Sequence, residues 1–331
     1  MASANGNGNG LIQRMNRAFA AIAGFCFDHR WLVALACLGI FFGAGHLAEQ
    51  VEIDASYESY FYPGDTTYQA YEDYRDDFGS DEVSYIGYEL PGVEHGPWNV
   101  DAMEALIELT EALEDEVPFI YEVTTLANAE LTVGTEEGLE ITKIKDEWPL
   151  SQAELLELRE AYARKPMLVG GIIDEDADFG AIIIDMDLSS TDPPDVIQAA
   201  EEDRIVPEDP WHLENLYPQV TDARISQILE RPRYEEFEFF HSGDVPLNAY
   251  YNRIILTEPE FLQGIMLLVV TGILFVVFRN LVSVIAPAMV LYLTITLTIA
   301  MMAVVGFKIG IGFSKTPTLL MAIGVAHSVH I

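Results

Sequence analysis

Cysteine is almost missing from this 331-residue chain. Cys26 and Cys37 both lie near the N-terminus, so no disulfide staples the long middle segment, which must be held by its own core. Basic residues are scarce too: 17 Lys and Arg stand against 53 Asp and Glu, a formal charge of −36. Such a surface repels phosphate and excludes nucleic acid as a partner. There is no Gly-rich phosphate loop, no nucleophile-elbow pattern at Ser242-Gly243-Asp244, and no zinc-ligand spacing among His95, His212 and His241. Asp174, Asp176 and Asp178 imitate the start of a calcium loop. Phe179 stands where its sixth-position Gly belongs and Asp185 where the twelfth-position Glu does, so these acids read as a hairpin turn. Nothing in these residues argues for catalysis, a cofactor or a metal.

What the chain has instead is long apolar runs. Phe261 to Phe278 is 18 residues without a charge, enough to cross a hydrocarbon core of roughly 30 Å at about 1.5 Å per residue. Arg279-Asn280 closes a tight turn, and Leu281 to Gly306 is a second uncharged run with Pro287 as a bend. A third run begins at Pro317 and is still apolar at Ile331, which predicts that more chain follows. Near the N-terminus, Trp31 to Leu47 reads as a first span, with a cleaved signal peptide as its rival. The expected organisation is a cytoplasmic tail with an interfacial helix over 1–30, spans at 31–47, 261–278 and 281–306, and the start of a fourth at 317–331. A folded domain over 48–258 lies between the first two.

That domain carries 51 of the acidic residues and 11 of the basic ones. Its charge is read either as a solubilising exterior or as a surface that collects cations or a basic substrate. Arg14, Arg17, Arg30 and Arg279 argue for an inside N-terminus and an exported domain, whereas Lys308 and Lys315 argue the other way. Strand and helix signals alternate within it. Val83 to Leu90 reads as a strand, Asn99 to Glu116 as a helix, and Phe119 to Leu126 as a strand. Ser151-Gln-Ala-Glu154 reads as a capping box opening a helix to Arg164. A hairpin is expected from Met167–Ile173 and Ala181–Leu188, then a helix over about Trp211 to Leu229 and a strand over Phe237 to His241. The fold class expected is a polytopic α-helical membrane protein with a large extracytoplasmic α+β domain of ferredoxin-like, split βαβ type.

Polar groups within the apolar runs are the candidate site. His327 and His330 are three apart and share a helix side with Gly324 one turn earlier, where Gly allows close packing. Counting from Pro317, His327 lies about 15 Å in, near the bilayer midplane, where an ionisable group needs a partner or water. A proton relay is one reading, since histidine titrates near neutral pH, with Ser328, Thr294 and Thr298 as supporting polar groups. Packing through hydrogen bonds is the other, and a metal pair a distant third.

One span, a large exported insert and a rapid succession of spans is similar to the N-terminal half of resistance-nodulation-division (RND) transporters, in the MMPL-like or predicted-exporter branch. The segments that carry the resemblance are Tyr62-Pro-Gly-Asp65 through Phe78-Gly79, Pro118–Asn128, Pro166–Asp187, His241-Ser-Gly-Asp-Val-Pro246, Phe278-Arg-Asn-Leu281 and Ala322–Ile331. The resemblance implies a porter domain, a second half of similar design beyond Ile331, and a bacterial inner-membrane location with residues 48–258 on the periplasmic or extracellular side. It implies proton-driven export of a hydrophobic or amphipathic compound such as a lipid, with membrane lipids as surroundings and room for a second copy or a periplasmic partner. Ala326 stands where the family commonly has an aspartate, which leaves His327, His330 or a group in the second half to carry the proton. A non-transporting, sterol-sensing-like receptor or scaffold with the same membrane plan is the alternative.

Overall fold

The computed structural model describes residues 7–54, 60–61, 64–135, 138–187 and 217–329. They form two compact units. One holds the chain up to Val51 together with Ile265–Lys308 and Thr316 onward; the other holds Glu52–Gly264 and Ile309–Lys315.

In the first unit, α1 (Asn7–Asp28) and α2 (Arg30–Ala48) are separated at His29, and α8 (Leu281–Val305) and α9 (Thr316–Val329) follow later in the chain. Phe41 of α2 meets Tyr292 of α8 with ring centroids 5.6 Å apart. Most other large side chains of both helices point outward, among them Leu35, Phe42, Met289 and Val290. Arg279, at φ 49, turns the chain from Phe278 into α8 within two residues.

The polytopic, four-span reading is overturned here. Among the described residues two helices, Arg30–Ala48 and Val284–Val305, are long and apolar enough to cross a membrane. The run expected to span at 261–278 is the end of a 35-residue helix, α7 (Asp244–Phe278), which carries Arg253, Glu258 and Glu260 in its earlier turns. Its apolar part among the described residues is Gly264–Phe278. The start of a fourth span at 317–331 falls in α9, described for 14 residues only.

The second unit is the acidic domain. Its four-stranded antiparallel sheet has the order β2-β5-β1-β6, from β1 (Val83–Glu89), β2 (Ile120–Thr124), β5 (Gly180–Met186) and β6 (Glu238–Gly243). Helix α4 (Val100–Glu116) links β1 to β2, and α6 (Tyr217–Leu229) precedes β6. Two β-α-β units are thus interleaved, each split by a strand of the other. The strands' alternation selects the covered face: Ile86, Tyr88, Ile182, Ile184 and Val123 are buried, as are Met103, Leu106, Leu109 and Leu113 at helical spacing on α4. Asn99 caps α4 by accepting from Asp101 N at 2.9 Å, and Ser151 with Glu154 forms a capping box on α5 (Gln152–Ala163).

Three local features depart from the sequence reading. Met167–Ile173 is not a strand: Gly170, at φ +87, folds it into turns, with Gly170 N donating to Ile173 O at 2.7 Å. Beyond the expected elements stand a two-stranded sheet, β3 (Leu131–Thr135) with β4 (Gly138–Thr142), and α3 (Thr66–Phe78), a helix capped by Asp65. The helix expected from Trp211 is described from Tyr217, its first residues lying outside the described ones. On β2 the pairing with β5 slips between Ile120 and Glu122, leaving Tyr121 as an extra, exposed residue.

Lys143, Lys145, Arg159, Arg231 and Arg233 each sit against a carboxylate, yet the acid excess far exceeds what they offset. Self-repulsion of this size is screened by salt, whose Debye length falls from about 10 Å at 0.1 M to about 3 Å at 1 M. Raising NaCl over that range is expected to lift the thermal midpoint of the domain by several degrees, read by far-UV circular dichroism; a flat or falling midpoint contradicts this.

Candidate functional site

Among the residues picked out for a proton relay, Thr294 and Thr298 satisfy their own helix. Thr294 Oγ1 donates to Val290 O at 2.7 Å and Thr298 Oγ1 to Thr294 O at 2.8 Å, the i−4 back-bond that hydroxyls make in apolar helices. With Met301, Met302 and Phe307 they line an open groove of about 480 Å³ along α8. Gly324 lies against α8: a Cβ added there would overlap the Leu291 side chain. The side chains of His327 and Ser328, and all of His330, lie outside the described residues. No described contact brings the threonines to a titratable partner.

The acidic domain holds a constellation that the sequence did not announce. Ser84 on β1 and His241 on β6 are diagonal neighbours on the covered face, since Ser84 pairs with Gly243 and Ile86 with His241. Ser84 Oγ and His241 Nε2 are 2.5 Å apart, and His241 Nδ1 lies 3.4 Å from Asp222 Oδ1 on α6. The carboxylate beside Nδ1 selects the tautomer with hydrogen there, so Nε2 accepts the Ser84 hydroxyl proton. Burial pushes His241 down to about 4, which keeps the ring neutral, and burial raises Asp222, an effect opposed by the Arg253 charge. Gly243 opposite Ser84 makes the close pairing feasible, because a Cβ at that site would come 2.5 Å from Val83 O.

Serine, histidine and aspartate in this order are the parts of a nucleophilic triad, but the surroundings rule out that chemistry. Ser84 is 0% exposed. It lies on a strand paired on both sides, so its backbone faces the ladder instead of forming an oxyanion hole. A substrate carbonyl has no route to Oγ. What the arrangement can do is hold strand to helix through a contact that depends on the charge of one imidazole.

The acidic turn at Asp174 is likewise closed. Asp174 Oδ1 accepts from Asp178 N and Phe179 N at 2.8 and 3.0 Å, and Arg159 Nη2 donates to Asp178 Oδ1 at 2.7 Å. Among the described residues no group of three or more His, Cys, Asp or Glu is placed to hold a metal.

No protein-family model matches this chain, and no curated protein matches it. Function therefore rests on the residues themselves. The one signal that could have found Ser84 in advance is parity: in Val83-Ser-Tyr-Ile-Gly-Tyr88 it shares the inward positions of Ile86 and Tyr88. A small polar residue on that face needs a partner.

Proposed function

We propose that the chain is membrane-anchored and exports hydrophobic or amphipathic compounds, lipids or similar molecules, using the proton gradient, as a secondary active transporter and not an enzyme. The observation that supports this is the pairing of two features. Apolar helices α2 and α8, with outward-facing Leu35, Phe42, Met289 and Val290, bracket in sequence an acidic domain that has its own core and no disulfide. Helices with that surface are at home among lipid tails, and an acidic domain is at home in water. On this reading the chain sits in a bacterial inner membrane with residues 48–258 on the periplasmic side, membrane lipids are its neighbours, and His327 or His330 carries the proton.

The test is efflux of a fluorescent fatty-acyl probe from cells expressing the complete protein. Dissipating the gradient is expected to stop efflux, and His327→Ala with His330→Gln to slow it at least tenfold at equal membrane abundance. Efflux untouched by both treatments removes the proposal. Ala326, where the resemblance puts an aspartate, favours a second reading as a receptor or scaffold. That reading predicts saturable probe binding with no gradient-dependent movement.

A further inference from the structure

The Ser84–His241–Asp222 contact ties β1 to α6 and β6, Ser84 and His241 being 157 positions apart, and it is partly buried, where a change of charge is felt. We propose that it is a pH-sensitive latch, holding α6 against the β1–β6 side of the sheet at neutral pH and releasing it on acidification. The inference concerns the acidic domain alone and does not rest on transport.

At neutral pH the ring accepts from Ser84 through Nε2 and faces Asp222 through Nδ1. A second proton goes to Nε2, the atom that holds the Ser84 hydrogen. The hydroxyl must then turn away and offer a lone pair instead, and a cation is left on the covered face of the sheet. The charged groups nearest the contact are Asp222 on α6, Arg253 and Asp244 on α7, and Glu82 at the start of β1; Arg224 on α6 is turned to Glu116 O at 3.2 Å, and Glu89 and Glu238 pair at the other end of β1 and β6. Asp222 favours the imidazolium, but burial raises its own pKa and its charge is shared with Arg253, so it compensates poorly. Asp244 is engaged with Val83 N at 3.3 Å. Glu82 has interactions of its own. The burial of His241 therefore decides the sign, in keeping with a pKa near 4 against an ordinary 6.5.

A base whose folded pKa is depressed stabilises the closed form fully above the unfolded value of 6.5 and loses that contribution as pH falls toward 4. Asp222, raised, works in the opposite sense. The other ties of this region survive in the window: Arg231 donates to Glu116 Oε2 at 2.6 Å, and Arg231 holds the Glu116 carboxyl below its usual range. Release is thus confined to the contact of α6 with the sheet edge.

The measurement is amide exchange by mass spectrometry on the full chain in detergent micelles, corrected for the intrinsic pH dependence, at pH 7.5 and pH 5. Opening of residues 217–229 is expected to rise about 30-fold from His241 alone, while α4 residues 100–113 stay unchanged. His241→Gln keeps an acceptor for Ser84 without a titrating ring and is expected to be protected at pH 7.5 with no pH response. A change under threefold in the native protein, or the same response in His241→Gln, overturns the latch. Should the variant not fold, the imidazole of the native protein is titrated by NMR: a midpoint below 5.5 upholds the proposal and one at 5.5 or above overturns it.

Discussion

Replacing Trp98 by alanine is expected to cost the acidic domain about 3–5 kcal/mol, enough to unfold a domain of ordinary stability at modest denaturant. Trp98 is fully buried, its Nε1 donates to Ala177 O at 2.9 Å, and its ring meets Tyr162 edge-on at 5.7 Å. Truncation leaves a cavity, an unpaired buried carbonyl at Ala177 and an exposed flank on Tyr162. The Trp98 backbone is also part of a clip: Gln152 Nε2 donates to Trp98 O at 2.7 Å while Gln152 Oε1 accepts from Val100 N at 3.2 Å, tying the start of α5 to the start of α4. Trp98→Phe keeps most of the volume and loses chiefly the hydrogen bond, for about 1–2 kcal/mol. Urea unfolding of the full chain, followed by circular dichroism, separates the two. An alanine variant with a midpoint near the parent's contradicts the packing account.

Gly243→Ala is expected to be comparably severe, at about 3 kcal/mol or more, for a different reason. Gly243 has φ +106, where a side chain is strained whatever the space, and the added Cβ would meet Val83 O at 2.5 Å and Tyr85 N at 3.0 Å. These are backbone atoms of the paired strand and cannot swing aside, so β1 and β6 must separate. Gly134→Ala in β3 is the matched control: nothing lies within 4 Å of its would-be Cβ, and the change is expected to be neutral or slightly stabilising. Equal midpoints for the two variants would show that β1 and β6 tolerate the intrusion.

Where the sequence was read well, the information was local. Asn99 before an apolar stripe and Ser151 three residues before Glu154 are complete signals for the starts of α4 and α5, because the groups that satisfy the free N–H donors lie within the same turn. Met167–Ile173 misleads because Val169, Ile172 and Ile173 favour a strand, while Gly170 and Gly171 give the freedom that lets the segment fold on itself. The run 261–278 misleads because hydropathy does not reveal that its helix begins at Asp244, with Arg253, Glu258 and Glu260 in the turns before the stretch. The relay candidates were legible as residues, but that Thr294 and Thr298 turn to their own backbones is a matter of rotamers. Ser84, His241 and Asp222 escaped for the opposite reason: Ser84 and His241 are 157 positions apart, and only the strand order brings them together.

The slipped pairing at Tyr121 bears on how this domain behaves when many copies are crowded together. Among the described residues no strand lies beyond β2, and such a margin is the kind of border on which a second chain can lay a strand and begin a fibril. One residue too many at Tyr121 throws the margin out of step with any regular newcomer, and Glu122 beside it sets like charge against like in a stacked copy. A two-residue rhythm interrupted once thus makes the β2 margin a poor template for a newcomer.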